Sequence, residues 1–293
     1  IVGAEIAEDL ADGVDVSLVI SGSFADKNVG QDKTVELTAS LAGSEACNYS
    51  LAELDNLTAN INQKELTIEN AVAEDKEYDG TTEAVISNAE IKGIISGDDV
   101  ELNGLVGNFD DADVGTGKTV TSNLSLTGND SQNYKVNQLS DLSADITKKS
   151  LTVTADNKEK TYNGEIFPDG DYTVSYDGFV NSETAIVLDG NLNFSGSAIQ
   201  AINAGNYVIT PEGLTSNNYD ISYENGSLTI NKKDLDVTAL AEDITYGNTE
   251  PTVTVEYEGF VGGETETQLD NTGFSLDTDY TQGDHVGTYN TII

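Results

Sequence analysis

Cysteine, histidine and proline are almost missing from this chain of 293 residues, with counts of 1, 1 and 3, and it has no tryptophan or methionine. With Cys47 alone no intrachain disulfide can form, which excludes a cysteine-stapled scaffold and leaves bacterial secretion open. With His285 alone a Ser-His-Asp triad could exist at most once, and a His/Cys zinc set is excluded. Positive charge is scarce as well: 13 Lys and Arg stand against 52 Asp and Glu, for a net charge of −39. Such a surface repels nucleic acid and anionic membranes, so neither is an expected partner. No apolar run approaches membrane-spanning length, so this segment is not expected to insert into a membrane. No signal segment is visible either, and residue 1 reads as lying inside a domain.

High net charge is also a mark of disorder. Against it stand an apolar content of 37%, with 13 Tyr and 7 Phe, enough to fill several small cores. The chain is therefore expected to fold.

An internal period organises it. Asn-Tyr recurs at Asn48-Tyr49, Asn133-Tyr134 and Asn218-Tyr219, in steps of 85 residues. Lys-x-Leu-x-aliphatic segments begin at Lys64, Lys149 and Lys233, and Tyr78, Tyr162 and Tyr246 each precede a glycine-containing turn. Two flavours are visible. Gly30 to Lys33, after Phe24, matches Gly115 to Lys118, after Phe109, while Tyr176-Asp177-Gly178-Phe179-Val180 matches Tyr257-Glu258-Gly259-Phe260-Val261. The boundaries read as 1–64 and 65–148 for the first type and 149–232 and 233–293 for the second, with short Lys-rich junctions. Ala4-Glu5-Ile6 aligns with Ala89-Glu90-Ile91, and the last repeat stops after Tyr289-Asn290, so the first and fourth repeats read as truncated.

Alternation of apolar and polar residues, as in Leu151-Thr152-Val153-Thr154-Ala155, predicts half-buried strands. Asn225-Gly226 predicts a two-residue turn closing a hairpin over Ile221 to Ile230. Ile1 to Leu10 and Ser50 to Ile61 are rich in Leu, Ala and Glu, yet their counterparts in the next repeat suit helices poorly, so strand or loop is expected. The expected fold class is all-β, a tandem array of small immunoglobulin-like β-sandwich domains, with β-grasp-like repeats as the alternative. In the Asn-Tyr pair, Asn is expected to close a turn in left-handed geometry. Tyr is expected to face inward, its hydroxyl tied to an upstream backbone group. Sugar stacking by these tyrosines is the competing reading.

Taken in order, these markers resemble repeat families of large bacterial surface adhesins and haemagglutinin-like exoproteins. Residues 65–148, with Tyr78-Asp79-Gly80-Thr81-Thr82, Val114 to Lys118 and Asn133-Tyr134, look like a YDG repeat. Residues 149–232 look like an MBG repeat, with Tyr162-Asn163-Gly164, Gly178-Phe179-Val180, Ala204 to Tyr207, and Asn218-Tyr219 through Ile230. Tyr246-Gly247-Asn248 departs from the Tyr-Asn-Gly order of the third repeat. The resemblance implies extracellular, cell-surface repeats acting as stalk or spacer, and it carries over no catalytic residues.

Candidate chemistry is thin. His285 reads as an exposed turn residue and Cys47 as an exposed thiol. Gly115-Thr116-Gly117-Lys118-Thr119 imitates a phosphate loop, but Ala112 or Asp113 stands where its first glycine belongs. Asp98-Asp99 and Asp110-Asp111-Ala112-Asp113 are candidate calcium loops without an EF-hand pattern, so calcium is the one cofactor left open. Sequons at Asn48, Asn56, Asn123, Asn193 and Asn225 read as products of a Ser/Thr/Asn-rich surface. No catalytic or cofactor-binding residue is assigned, and an enzyme is not expected. The leading function is a structural spacer whose partners are neighbouring repeats of the same chain, or further copies of it. The alternative is an adhesin module that itself binds a surface glycan or host protein.

Overall fold

The computed structural model describes residues 13–55, 57–270, 275–289 and 291–292. It forms two compact units, Ile1–Thr147 and Lys148–Ile293. Strands and short 3-10 turns make up the regular structure, and no α-helix occurs among the described residues. The all-β expectation holds. Ile1 to Leu10 and Asn56 lie outside the described residues, whereas Leu57–Ile61 is a strand.

The third repeat shows the plan most fully. The chain enters along Lys149–Ala155 and Lys158–Thr161, and returns through Val174–Asp177, Asp189–Ser195 and Gly205–Thr215. It leaves along Tyr219–Glu224 and Gly226–Asn231. The entering and leaving strands run parallel at one constant offset. Lys149 faces Tyr219 and Thr161 faces Asn231, each partner lying 70 residues downstream. Both strands kink at the same level and so pass together from a three-stranded sheet into a four-stranded one.

This corrects the hairpin expected at Asn225-Gly226. The segments on either side do not pair with each other but continue in the same direction in different sheets. Neither residue has positive φ. Gly226 serves close approach instead, since a Cβ there would sit 2.4 Å from the Ala155 carbonyl oxygen.

The second repeat follows the same plan. Lys64–Glu69 pairs in parallel with Tyr134–Val136, and Lys76–Glu77 with Leu142–Thr147, again with Lys64 facing Tyr134 and Ile146 facing Lys76 at a distance of 70 residues. Its six-stranded sheet curls, because its two outermost strands, Val72–Ala73 and Lys76–Glu77, are nearly consecutive in the chain. Each whole repeat thus combines the parallel terminal pair of a β-grasp unit with the helix-free strands of a sandwich, and so does not separate those two topologies.

Alternating strands build the cores as the pattern requires. Leu151, Val153 and Ala155 are buried on one face. Beyond the kink, Leu228 and Ile230 close a second cluster with Tyr172, Ala198, Ala201 and Ile209. In the second repeat, Leu66, Val100 and Tyr134 form a core that Ile91, Ile94 and Leu126 cover.

Repeats one and four are thinner. Repeat one is a three-stranded antiparallel meander of Ser17–Phe24, Gly30–Ala42 and Leu57–Ile61. In repeat four, among the described residues, Asp236–Ala241 pairs with Val253–Glu258 alone, and Val237 is 41% exposed where Val153 is fully buried. Among the described residues, repeat four has no counterpart of the leaving strand that covers Val153.

Candidate functional site: the tyrosine–carboxylate anchor

The feature that recurs across both repeat types is a turn and a tyrosine. The turn has the pattern glycine, two apolar residues, two turn residues and an acid. It occurs as Gly93-Ile94-Ile95-Ser96-Gly97-Asp98, Gly178-Phe179-Val180-Asn181-Ser182-Glu183 and Gly259-Phe260-Val261-Gly262-Gly263-Glu264. In all three the acid's backbone N–H donates back to the second apolar carbonyl: Asp98 to Ile95 at 3.0 Å, Glu183 to Val180 at 2.8 Å and Glu264 to Val261 at 3.0 Å. Left-handed residues close the turn (Gly97; Asn181 and Ser182; Gly262 and Gly263). The leading glycine lies against the entering strand, and a Cβ on Gly178 would approach the Ser150 carbonyl oxygen to 2.4 Å.

Tyr134 and Tyr219 are buried, 3% and 2% exposed, and reach this turn with their hydroxyls. Tyr134 Oη accepts the Ile95 N–H at 3.1 Å and donates to Asp98 Oδ2 at 2.6 Å. Tyr219 Oη accepts the Val180 N–H at 3.1 Å and donates to Glu183. A phenol has one donor and acceptor lone pairs, so both functions are satisfied. Burial first, and then the neighbouring carboxylate, push both phenols above the usual tyrosine range. Phe179 packs edge-on to Tyr219, with ring centroids 5.4 Å apart.

The expected tie to an upstream backbone group is therefore present in repeats two and three. The carboxylate partner was not foreseen, although its signal, an acid five residues after a recurring glycine, was readable. Tyr49 departs from expectation, being 44% exposed. Tyr134 and Tyr219 begin strands laid beside an entering strand, and no such partner stands beside Tyr49 among the described residues. The asparagine's role also needs correction. Asn48, Asn133 and Asn218 all lack positive φ. Asn133 instead uses its side chain: Oδ1 accepts the Val29 N–H at 2.9 Å and Nδ2 donates to Asn28 Oδ1 at 3.2 Å.

Charge gathers at the same place in the first unit. Lys27 Nζ lies 2.6 Å from Asp98 Oδ1 and 2.9 Å from Asp130 Oδ1, and the Asp98 side chain is only 9% exposed. Lys27 first, and then the Tyr134 hydroxyl, hold the Asp98 carboxyl below its ordinary range. The Asp99 carboxylate is engaged otherwise, accepting from the Asn129 backbone N–H at 3.0 Å and from its side chain at 2.8 Å.

The other sequence candidates are dispersed. Gly115–Ser122 is a strand and not a loop, and Lys118 turns onto Asp111 at 2.6 Å and Asp110 at 3.4 Å. Lys118 thus offsets one of the three negative charges of the loop that had been a calcium candidate, and Lys33 and Asp26 repeat the pairing in repeat one. Among the described residues no group of three or more His, Cys, Asp or Glu side chains is placed to hold a metal ion. Cys47 is an exposed free thiol in the turn Ala46–Asn48. His285 is exposed, and its backbone carbonyl accepts the Tyr289 hydroxyl, as Asn203 does for Tyr207. Asn48, Asn123, Asn193 and Asn225 are exposed.

A cleft in repeat four is lined by Tyr246, Tyr280, His285 and Tyr289. In repeat three the corresponding face is filled by Leu228 and Ile230 of the leaving strand. No helix among the described residues is long and apolar enough to cross a membrane.

The fold and its anchor define a tandem arrangement of all-β repeats of two related types. Comparison with known families names those types: a YDG domain matches residues 1–56 and 62–141, and an MBG domain of the YGX type matches residues 151–229 and 235–293. No curated protein and no solved structure matches the chain at a significant level.

Proposed function

We propose that these repeats are non-catalytic stalk or spacer modules of an extracellular bacterial surface adhesin or fibre. One observation carries the proposal: the entering and leaving strands of a repeat lie side by side and parallel. The chain therefore enters a repeat at one end and leaves at the other, as a linear array requires. Tension applied through the two termini slides these strands past each other. Their ladder hydrogen bonds then share the load, whereas in an antiparallel terminal hairpin they would break one by one. Strong acidity and the near-absence of cysteine suit an exported, crowded surface, and the family resemblance points the same way.

Single-molecule pulling on the whole chain tests this. Repeats two and three should give separate, high-force unfolding events, each releasing roughly 280 Å of chain at about 3.4 Å per extended residue. Featureless low-force extension would reject a load-bearing spacer. Glycan-array binding that is lost on mutating exposed Tyr246 would instead favour a binding module.

A further inference from the structure

In two turns of this motif a donor from the preceding repeat reaches the acid, and at Asp98 it does so beside the repeat's own tyrosine. In the first unit Lys27, of repeat one, binds Asp98, of repeat two. In the second unit the hydroxyl of Tyr162, of repeat three, donates to Glu264, of repeat four. Asp98 and Glu264 hold the same place in the same turn, and both are half-buried. The two donors differ in charge and in origin, one from the turn after a strand, the other from the Tyr-Asn-Gly marker. That two unrelated donors reach one position points to the position itself as the common element.

The surroundings agree. Next to Lys27, the backbone of Val29 is held by Asn133, and Gln63 Nε2 donates to the Gln132 carbonyl at 3.1 Å. Next to Tyr162, Gly164 faces Val261 and Gly262 so closely that a Cβ would lie 3.6 Å from each. At the first junction the Asn-Tyr pair and the acid, and at the second the acid with Val261 and Gly262 before it, therefore border the surface that takes the repeat before it.

We infer that this turn is a docking socket between successive repeats, in which one carboxylate accepts both its own repeat's tyrosine and a donor from the preceding repeat. The partner it fits is the tail of a second β-repeat that offers a hydroxyl or ammonium donor beside an exposed backbone N–H. Docking and core anchoring then share an atom group: Lys27 binds Asp98 Oδ1 while Tyr134 binds Oδ2. Occupation of the socket by one repeat steadies the core of the next. The markers that set the sequence period would thus record the junction as well as the fold. This inference stands on contacts within each unit and is independent of the spacer proposal.

Residue-resolved hydrogen exchange on the whole chain tests it. Lys27→Gln should raise exchange at the Ile95 and Asp98 amides about 2–5-fold, the range of a partly exposed ion pair, with the amides of Ser17–Phe24 unchanged. Asn133→Ala should do the same at Val29. Tyr162→Phe, which keeps the ring, should raise exchange at the Glu264 amide. Raising salt from about 0.05 to 0.5 M should reproduce the Lys27→Gln effect at the first junction and leave the Tyr162–Glu264 junction unaltered, since only the first is an ion pair. Unchanged Ile95 and Asp98 exchange in Lys27→Gln would overturn the inference. So would an equal rise throughout both repeats, which would mark a general loss of stability. A silent Tyr162→Phe would deny the socket its generality and overturn it as a shared device.

Discussion

Repeats two and three carry the same parallel zipper and the same tyrosine anchor, but they spend unequal lengths of chain on pairing. In repeat three the entering and leaving strands match six residue pairs before the kink and four after it. In repeat two they match three and two. The difference lies at the kink. Repeat three crosses between sheets with Asn225 alone between its two leaving strands, because Gly226 admits the Ala155 carbonyl. Repeat two lacks that glycine, and residues 137–141 loop out, with Asp141 at φ 63°. In that loop Gln138 Oε1 accepts the Leu124 N–H at 2.7 Å and Nε2 donates to the Leu124 carbonyl at 2.9 Å, as the Tyr223 hydroxyl of repeat three accepts the Leu214 N–H at 2.7 Å and donates to the Leu214 carbonyl at 2.9 Å. A single glycine thus goes with a direct crossing between sheets, and its absence with a looped one.

The comparison can be broken most forcefully at the anchor of the longer zipper. Tyr219→Ala removes a buried ring and should cost repeat three about 3–5 kcal/mol, against a typical domain stability of about 5–15 kcal/mol. Because Phe109 and Val120 are buried in the core of the other compact unit, their exchange protection in repeat two should persist. Gly226→Ala should cost about 1–3 kcal/mol through overpacking against Ala155. Chemical denaturation should then show repeat three falling toward repeat two, and an unchanged midpoint would refute the crossing role.

Gln138→Ala should cost repeat two about 1–2 kcal/mol, since the Leu124 backbone loses both partners. In repeat three Tyr223 holds both backbone groups of Leu214 in the same way, so Tyr223→Phe should cost repeat three a similar amount. In pulling experiments the shorter parallel pairing predicts that repeat two yields at lower force than repeat three.

The smallest expected effect is electrostatic. Asp98 is held below its ordinary range, so its contribution is present above the unfolded value near pH 4 and is lost as pH falls through the folded value. Tyr134, held above its range, contributes below about pH 10 and loses that contribution as pH rises through its folded value. Melting curves of the parent and Asp98→Asn should therefore differ from about pH 5 to 8 and converge as pH falls through the folded value of Asp98. A constant gap down to acid would show that charge on Asp98 is irrelevant to the fold.

Much of this was legible in residues alone. The alternation of Leu151, Val153 and Ala155 gave the buried face, and the period of Asn-Tyr gave the repeats and the inward tyrosine. Asn225-Gly226 was misleading because the same dipeptide serves a tight turn through positive φ or a crossing through the missing Cβ. Only the neighbouring strand chooses between these. The carboxylate of the anchor escaped notice in a chain where acids are everywhere and proximity to a given tyrosine 36 residues away leaves no local mark.

By itself, then, the sequence determined the strand class, the repeat length and the apolar faces, because these follow from local side-chain periodicity. The tertiary structure decided the parallel marriage of first and last strands, the meaning of Gly226, the exposure of Tyr49 and the second use of Asp98 and Glu264. Those depend on which strand lies alongside, and long-range backbone pairing is fixed by the closure of the whole repeat.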